Sequence, residues 1–371
     1  LKKTEEKTTF IRLNALDSLR GLAALGIAFF WHYKLFNIDY FQAHPEIQPG
    51  FEAFKWFYLC GWNLVDFFFV LSGFVFMHVY SEKIASKQVH EKDFFILRLS
   101  RLYPMHIITM FIVASVQYFR LLNGMEFHAT GLNDLYHFIL NVLFMQAGFF
   151  QSGESFNGPS WTLSCEMLGY ILFFYILTKS RKPMVLFVIC ILTGFSILQM
   201  RMNVPLFNPQ TAKMFTGFFI GCVTYKLNLY IAGLPVRTKH RLSAVLLIFT
   251  ATVMLLTYKV GYIKFFGQWD RVMPVFVYPM IILIALNVKG LNIVLSAKPL
   301  TYLGDISYSI YLLHFPVLLI LTTFLPLAGV NPDYTSWTAM LTFMASTISL
   351  SVLSYHFVEK PLQKYIRKKY L

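Results

Sequence analysis

Ten apolar segments, each near the roughly 20 residues that take a helix across a bilayer's hydrocarbon core, succeed one another along this chain. They lie near 14–36, 56–80, 94–119, 160–178, 184–202, 211–231, 243–262, 273–288, 304–325 and 337–358. The pattern predicts an all-α polytopic membrane protein. Only 13% of the residues are charged, against roughly 25% in soluble domains, and mean hydropathy is +0.57. An 18% aromatic content, with 39 phenylalanines, suits lipid-facing and interfacial surfaces.

The first segment is anomalous, because it carries Asp17, Arg20 and His32. Ionisable groups in hydrocarbon cost a few kcal/mol or more each on insertion scales, so they face protein, water or a substrate, and their default reading is functional. The stretch before them, Leu1–Thr9, is polar and no small-residue cleavage site follows. The first span is therefore expected to be retained as an uncleaved helix. Cys60, Cys165, Cys190 and Cys222 are dispersed within apolar stretches without metal-ligand spacing, and read as small core residues.

A net charge of +14 would point to nucleic acid in a soluble domain, but here the basic residues fall in alternate loops. Lys2, Lys3, Lys7 and Arg12 begin the series, followed by Lys83, Lys87 and Lys92 with Arg98 and Arg101. Lys179–Lys182, Arg237–Arg241, Lys289 with Lys298, and Lys360–Lys369 continue it. Loops 37–55, 120–134, 150–159, 203–210 and 326–336 are poor in Lys and Arg, and 263–272 is mixed, with Lys264 and Arg271. Leu135–Phe150, at sixteen residues, is ambiguous. If it crossed the membrane, the later loops would violate the positive-inside rule; as an interfacial or re-entrant segment it leaves them all in accord. The sequence thus predicts ten transmembrane helices with both termini cytoplasmic and no soluble domain. A single membrane domain covers 1–371, with its transmembrane region at 14–358.

Helical rise sets depth. His32 falls about 24 Å from the inner face and Glu166 about 9 Å below the outer one, a common level in a core about 30 Å thick. Asp66 and His314 fall near the midplane, Arg20 near the cytoplasmic side, and Arg98 and Arg101 at the cytoplasmic mouth of the third span. Such a gradient suits chemistry between an anionic donor from the cytosol and an acceptor outside.

Several stretches in order resemble the acyltransferase-3 family of bacterial membrane acyltransferases, which O-acylate sugars in surface glycans, antibiotics and other acceptors. They are LDSLRGLAAL from Leu16, VDFFFVLSGF from Val65, RLSRLYP from Arg98, SWTLSCE from Ser160, YLGDISYSIYLLH from Tyr302 and FVEKP from Phe357. The resemblance covers nearly the whole chain. It implies an enzyme of the bacterial cytoplasmic (inner) membrane that moves an acyl group, acetyl foremost, from acyl-CoA to a hydroxyl of a carbohydrate or glycoconjugate. Acyl-CoA would then be a donor substrate, with no permanently bound cofactor, no metal and no nucleic acid.

On this resemblance His32 is the base or the transient acyl carrier, with Glu166 orienting it or bonding acceptor hydroxyls. Arg20 stabilises negative charge on the donor or the oxyanion. The bland readings are a helix-packing imidazole, a tertiary pairing of Glu166, and an Arg20–Asp17 ion pair at i, i+3. The family usually places ten residues between its arginine and histidine, whereas eleven separate Arg20 from His32. At 100° per residue that turns them about 120° apart, unless a π-bulge eased by Gly26 restores a shared face.

Arg98 and Arg101 are assigned to the phosphates of coenzyme A, against ordinary positive-inside anchoring. Trp161 is a candidate for stacking on a sugar, and Tyr308, Tyr311 and His314 form a polar stripe that could line the cavity. Asp66 could pair with Arg20 or His314, Ser72-Gly73 reads as close helix packing, and Glu359-Lys-Pro361 as a helix terminus. The rival reading is a transporter or flippase for a glycan or lipid-linked sugar. It is disfavoured by the lack of an internal repeat or of matched broken helices.

Overall fold

The computed structural model describes residues 12–148, 150–151, 153–260 and 272–371. Lys2, Lys3 and Lys7 of the basic tail, and Lys264 and Arg271 of the mixed loop, lie outside the described residues. The main helices are α1 (Asn14–Gly26), α2 (Leu64–Ala85), α3 (Glu91–Leu122), α4 (Leu135–Val142), α5 (Trp161–Lys179) and α6 (Pro183–Gln199). They continue with α7 (Pro209–Ala232), α8 (Val236–Val260), α9 (Tyr278–Asn287), α10 (Lys298–Leu327), α11 (Trp337–Ser354) and α12 (Lys360–Tyr370). Among the described residues there is no strand, only an isolated bridge between Val204 and Phe207.

Starts follow local chemistry. Pro183 and Pro209 occupy first-turn positions where no amide donor is needed. Asn208 and Thr211 form a reciprocal capping box at α7, while Asp134 and Ser336 cap α4 and α11.

Among the described residues five helices are long and apolar enough to cross a membrane, or six if the pair Met273–Asn287 and Lys289–Leu295, bent by 93°, is one span. The other predicted spans are helical too, but shorter or less apolar. The 135–150 stretch contains only α4, whose eight residues reach about 12 Å, well short of the hydrocarbon core.

Two close crossings hold the bundle together. Along α2 and α7, Gly73 lies against the backbone of Phe218 and Gly221 against the carbonyl of Val70. Along α1 and α10, Gly21 meets the backbone of Leu303 and Gly304, and Gly304 meets the carbonyl of Asp17. Small residues here let backbones approach where any Cβ would intrude.

After Gly26 the first span widens into a π turn, Ile27–Trp31, and then tightens into a 3₁₀ turn, His32–Phe36. The helix Phe51–Cys60 and the turn after it back this segment, with Phe57 and Leu64 against Gly26 and Gly61 against the Cβ of Trp31. The wide turn absorbs the extra residue between Arg20 and His32, so both side chains meet α10: Arg20 at Gly304 and Ser307, His32 at His314.

Gly221→Ala should destabilise the detergent-solubilised protein by about 1–3 kcal/mol, the usual cost of overpacking. Gly290→Ala, with nothing within 4 Å of the new Cβ, should leave the thermal midpoint almost unchanged.

Candidate active site

A cavity of about 340 Å³ lies between α1, α2, α3, α5 and α10. Arg12, Arg20, Arg98 and Arg101 supply its positive charge, Asp17 and Glu166 its negative charge, and Tyr308 and Tyr311 line it from α10. Arg20 is engaged through Nε and Nη2: its guanidinium donates to Asp17 Oδ1 at 2.9 Å, to the Gly304 carbonyl at 3.0 Å and to Ser307 Oγ at 3.2 Å. Asp17 also accepts from Arg12 Nε at 2.6 Å, and Arg12 reaches on to Asp305 at 2.5 Å. The i, i+3 ion pair anticipated for Arg20 is therefore present, within a wider network.

Arg98 donates to Tyr80 Oη at 2.5 Å and lies 5.0 Å from the ring centroids of Phe76 and Tyr80. Arg101, one turn on, makes no hydrogen bond or ion pair with any described residue. The carboxylates whose field it feels, Glu359, Glu166 and Asp17, are each bonded elsewhere. Glu166 Oε1 accepts from Ser72 Oγ at 2.6 Å and from the Tyr170 hydroxyl. Glu359 Oε2 accepts from Ser309 Oγ at 2.8 Å and Oε1 from Gln363 at 3.3 Å. The planar donors of Arg101 face the cavity, the geometry in which guanidinium groups bind phosphate or carboxylate.

His32 does not line this cavity. Its Nδ1 lies 2.8 Å from Nε2 of His314, with ring planes within 9° of parallel and centroids 4.9 Å apart. A nitrogen gap that short, added to the two ring radii, accounts for the centroid separation, so the rings meet edge to edge in a hydrogen bond. Tyr311 stands at the junction: it lines the cavity, its ring is 5.9 Å from that of His314, and its hydroxyl donates to the Pro159 carbonyl at 3.0 Å.

Around the pair the helix is braced from outside. Pro316, with no amide hydrogen, cannot bond the Leu312 carbonyl; Asn157 Nδ2 does so instead, at 3.0 Å. Beyond His32, Lys34 Nζ sits 3.2 Å from the Trp31 ring centroid. In the adjoining loop, burial raises the Glu154 carboxyl above its ordinary range while Lys34 opposes the shift.

Several expectations need correction. Glu166 does not share the level of His32. The chain is already at the level of Tyr311 when it leaves Pro159, so six residues of α5 carry Glu166 about 9 Å further in, to the arginines. His314, expected along the cavity wall, is fully buried behind Tyr311. Asp66 pairs with neither Arg20 nor His314 but with Lys213, at 3.4 Å, and accepts from Asn63 at 3.3 Å. Trp161 packs toward Phe69, centroids 6.3 Å apart, outside the cavity lining.

Ser72 is a cavity hydrogen-bond donor while its neighbour Gly73 does the packing. Glu359 is no terminus: it closes a π turn, Tyr355–Glu359, that runs straight into α12, and its carboxylate is buried. Sequence reading also passed over Tyr80, Tyr170 and Lys213. The signal for Lys213 was a cation near the start of an apolar helix, able to match the anion Asp66 near the start of another.

Residues 13–356 match the acyltransferase-3 family, an acyltransferase domain. The chain belongs to this family. It is similar to the putative peptidoglycan O-acetyltransferase YrhL of Bacillus subtilis, 27% identical over 81% of this chain and 50% of the relative. It is also similar to the peptidoglycan O-acetyltransferase OatA of Listeria monocytogenes, 26% identical over 94% and 56%, and to the O-acetyltransferase OatA of Staphylococcus aureus, 23% identical over 98% and 59%. The chain thus spans about half the length of the curated relatives it matches. No solved structure matches it significantly.

The Asp66–Lys213 pair gives a direct check on architecture. Removing one partner of a buried pair costs up to roughly 3–5 kcal/mol, while replacing both with neutral groups costs far less. Lys213→Met should therefore lower the thermal midpoint clearly, and the double variant Asp66→Asn/Lys213→Met should recover much of the loss.

Proposed function

We propose that this chain is a membrane-embedded O-acyltransferase of the bacterial cytoplasmic membrane, transferring acetyl from acetyl-CoA to a carbohydrate hydroxyl, with a peptidoglycan-type glycan as the leading acceptor. The observation that carries the donor side is Arg101, a cation within the bundle with its donors turned into a cavity and no partner among the described residues. The carboxylates around it favour its charge but none is bonded to it, so its guanidinium is free to take a phosphate in a charge-assisted, bidentate contact. The phosphates of coenzyme A bind at Arg98 and Arg101, with Arg20 and its Asp17 network sustaining the positive field, and the acyl end extends past Tyr308 toward Tyr311. Glu166 Oε2, the oxygen not used by Ser72 and Tyr170, accepts from donor amide groups.

His32 is the base. The acceptor hydroxyl gives its proton to His32 Nε2 as its oxygen attacks the thioester carbonyl; the carbon–sulfur bond then breaks, and the thiolate leaves with that proton. The products are an ester and free coenzyme A, with the imidazole neutral again. The donor approaches from the cytosol and the glycan from outside. This orientation rests on ten crossings with both termini cytoplasmic and 135–150 on or in the outer leaflet, an arrangement that loop charge supports. The names of the relatives support an O-acetylated glycan acceptor.

Two measurements test this. With radiolabelled acetyl-CoA and purified peptidoglycan glycan strands, His32→Ala should lose about 10²–10⁴-fold in kcat, the usual share of general base catalysis. Arg101→Gln should raise KM for acetyl-CoA at least tenfold with kcat little changed, the signature of lost ground-state binding. Undiminished transfer by His32→Ala would sink the reading. For topology, Lys368→Cys should react with an impermeant maleimide in inside-out vesicles and not in intact cells.

A further inference from the structure

We infer that His314 is the positioning residue for His32: it fixes the tautomer in which His32 Nδ1 carries the hydrogen and Nε2 presents a bare lone pair. The inference rests on the reading of His32 as the base and extends it to a residue outside the cavity wall.

The argument is one of hydrogen-bond capacity. His314 Nδ1 lies 3.2 Å from the Ile310 carbonyl, and a carbonyl oxygen can only accept. A neutral imidazole has one N–H and one lone pair, so with the hydrogen on Nδ1, His314 Nε2 must be the acceptor. The nitrogen opposite it at 2.8 Å, His32 Nδ1, must then donate, which leaves His32 Nε2 unprotonated. The reverse assignment would set a lone pair of His314 against the lone pairs of Ile310. Near-coplanar rings are what an in-plane N–H···N bond requires.

Among the described residues no carboxylate bonds His32, so a neutral, fully buried imidazole does the orienting that a carboxylate does in a serine-hydrolase triad. When His32 takes the acceptor's proton at Nε2, its Nδ1–H bond to His314 becomes charge-assisted and stronger, stabilising the imidazolium without a second proton transfer. The position of His314 is set in turn by Tyr311, bonded to Pro159, and by Leu312, bonded to Asn157.

The test is a matched set of variants of the full chain in the acetyl-CoA and glycan-strand assay. His314→Leu removes the acceptor and should lower kcat at least about 10-fold, the lower end of the range for groups that orient metal-ligating histidines, with KM for acetyl-CoA unchanged within about twofold. His314→Gln supplies an amide oxygen in place of Nε2 and should stay within about fivefold of the parent. His314→Met, a second side chain without a comparable acceptor, should behave like His314→Leu and replaces it if Leu does not fold.

Equal losses in Gln, Leu and Met would overturn the positioning role, as would unchanged kcat in Leu or Met. If His32→Ala itself keeps its turnover, the base reading falls and this inference with it. If His32→Ala is inactive and His314→Leu active, only this inference falls.

Discussion

The crossing of α1 on α10 is the contact on which the rest of the arrangement depends. Gly21 and Gly304 bring the two backbones together, and that proximity lets the Arg20 guanidinium reach a main-chain carbonyl and Ser307 on the neighbouring helix. Twelve residues after Arg20, in the 3₁₀ turn beyond α1, the same span presents His32 to His314. Two polar stations, one cationic and one imidazole, are therefore held by a single interface. The π turn between them keeps both in register with α10 despite the long spacing.

Charge within the bundle is handled in two ways. Asp17, Arg12, Arg20 and Asp305 form a closed network, and Asp66 is matched by Lys213. These pairs reduce the cost of ionised groups in a poor solvent. Arg101 differs: it is surrounded by carboxylates committed to Ser72, Tyr170, Ser309, Gln363 and the Asp17 network. What sets Arg101 apart from the paired charges is thus that its neighbours' oxygens are bonded elsewhere, not its depth alone.

Much of this was legible in the sequence. Long apolar runs marked the helices, and the motifs from Leu16, Arg98, Ser160 and Tyr302 marked the walls of the cavity. Depth was the weak point. Counting inward from Ser160 takes α5 to start at the membrane surface, but Pro159 already bonds Tyr311, so Glu166 falls among the arginines and not beside His32. Glu359 was hidden by Pro361, which reads as a helix stop yet sits in the first turn of α12, where proline is tolerated. The His32–His314 pair joins residues 282 positions apart, and no local periodicity encodes such a contact.

Pro316 breaks the hydrogen-bond ladder of α10 two residues past His314, and the gap is filled by Asn157 from the segment that leads into α5. The helix that carries the second histidine is therefore complete only when that segment is seated on it. Displacing that segment would leave the Leu312 carbonyl without a donor and loosen the backbone beneath His314, so the seating of one amide group is felt at the histidine pair.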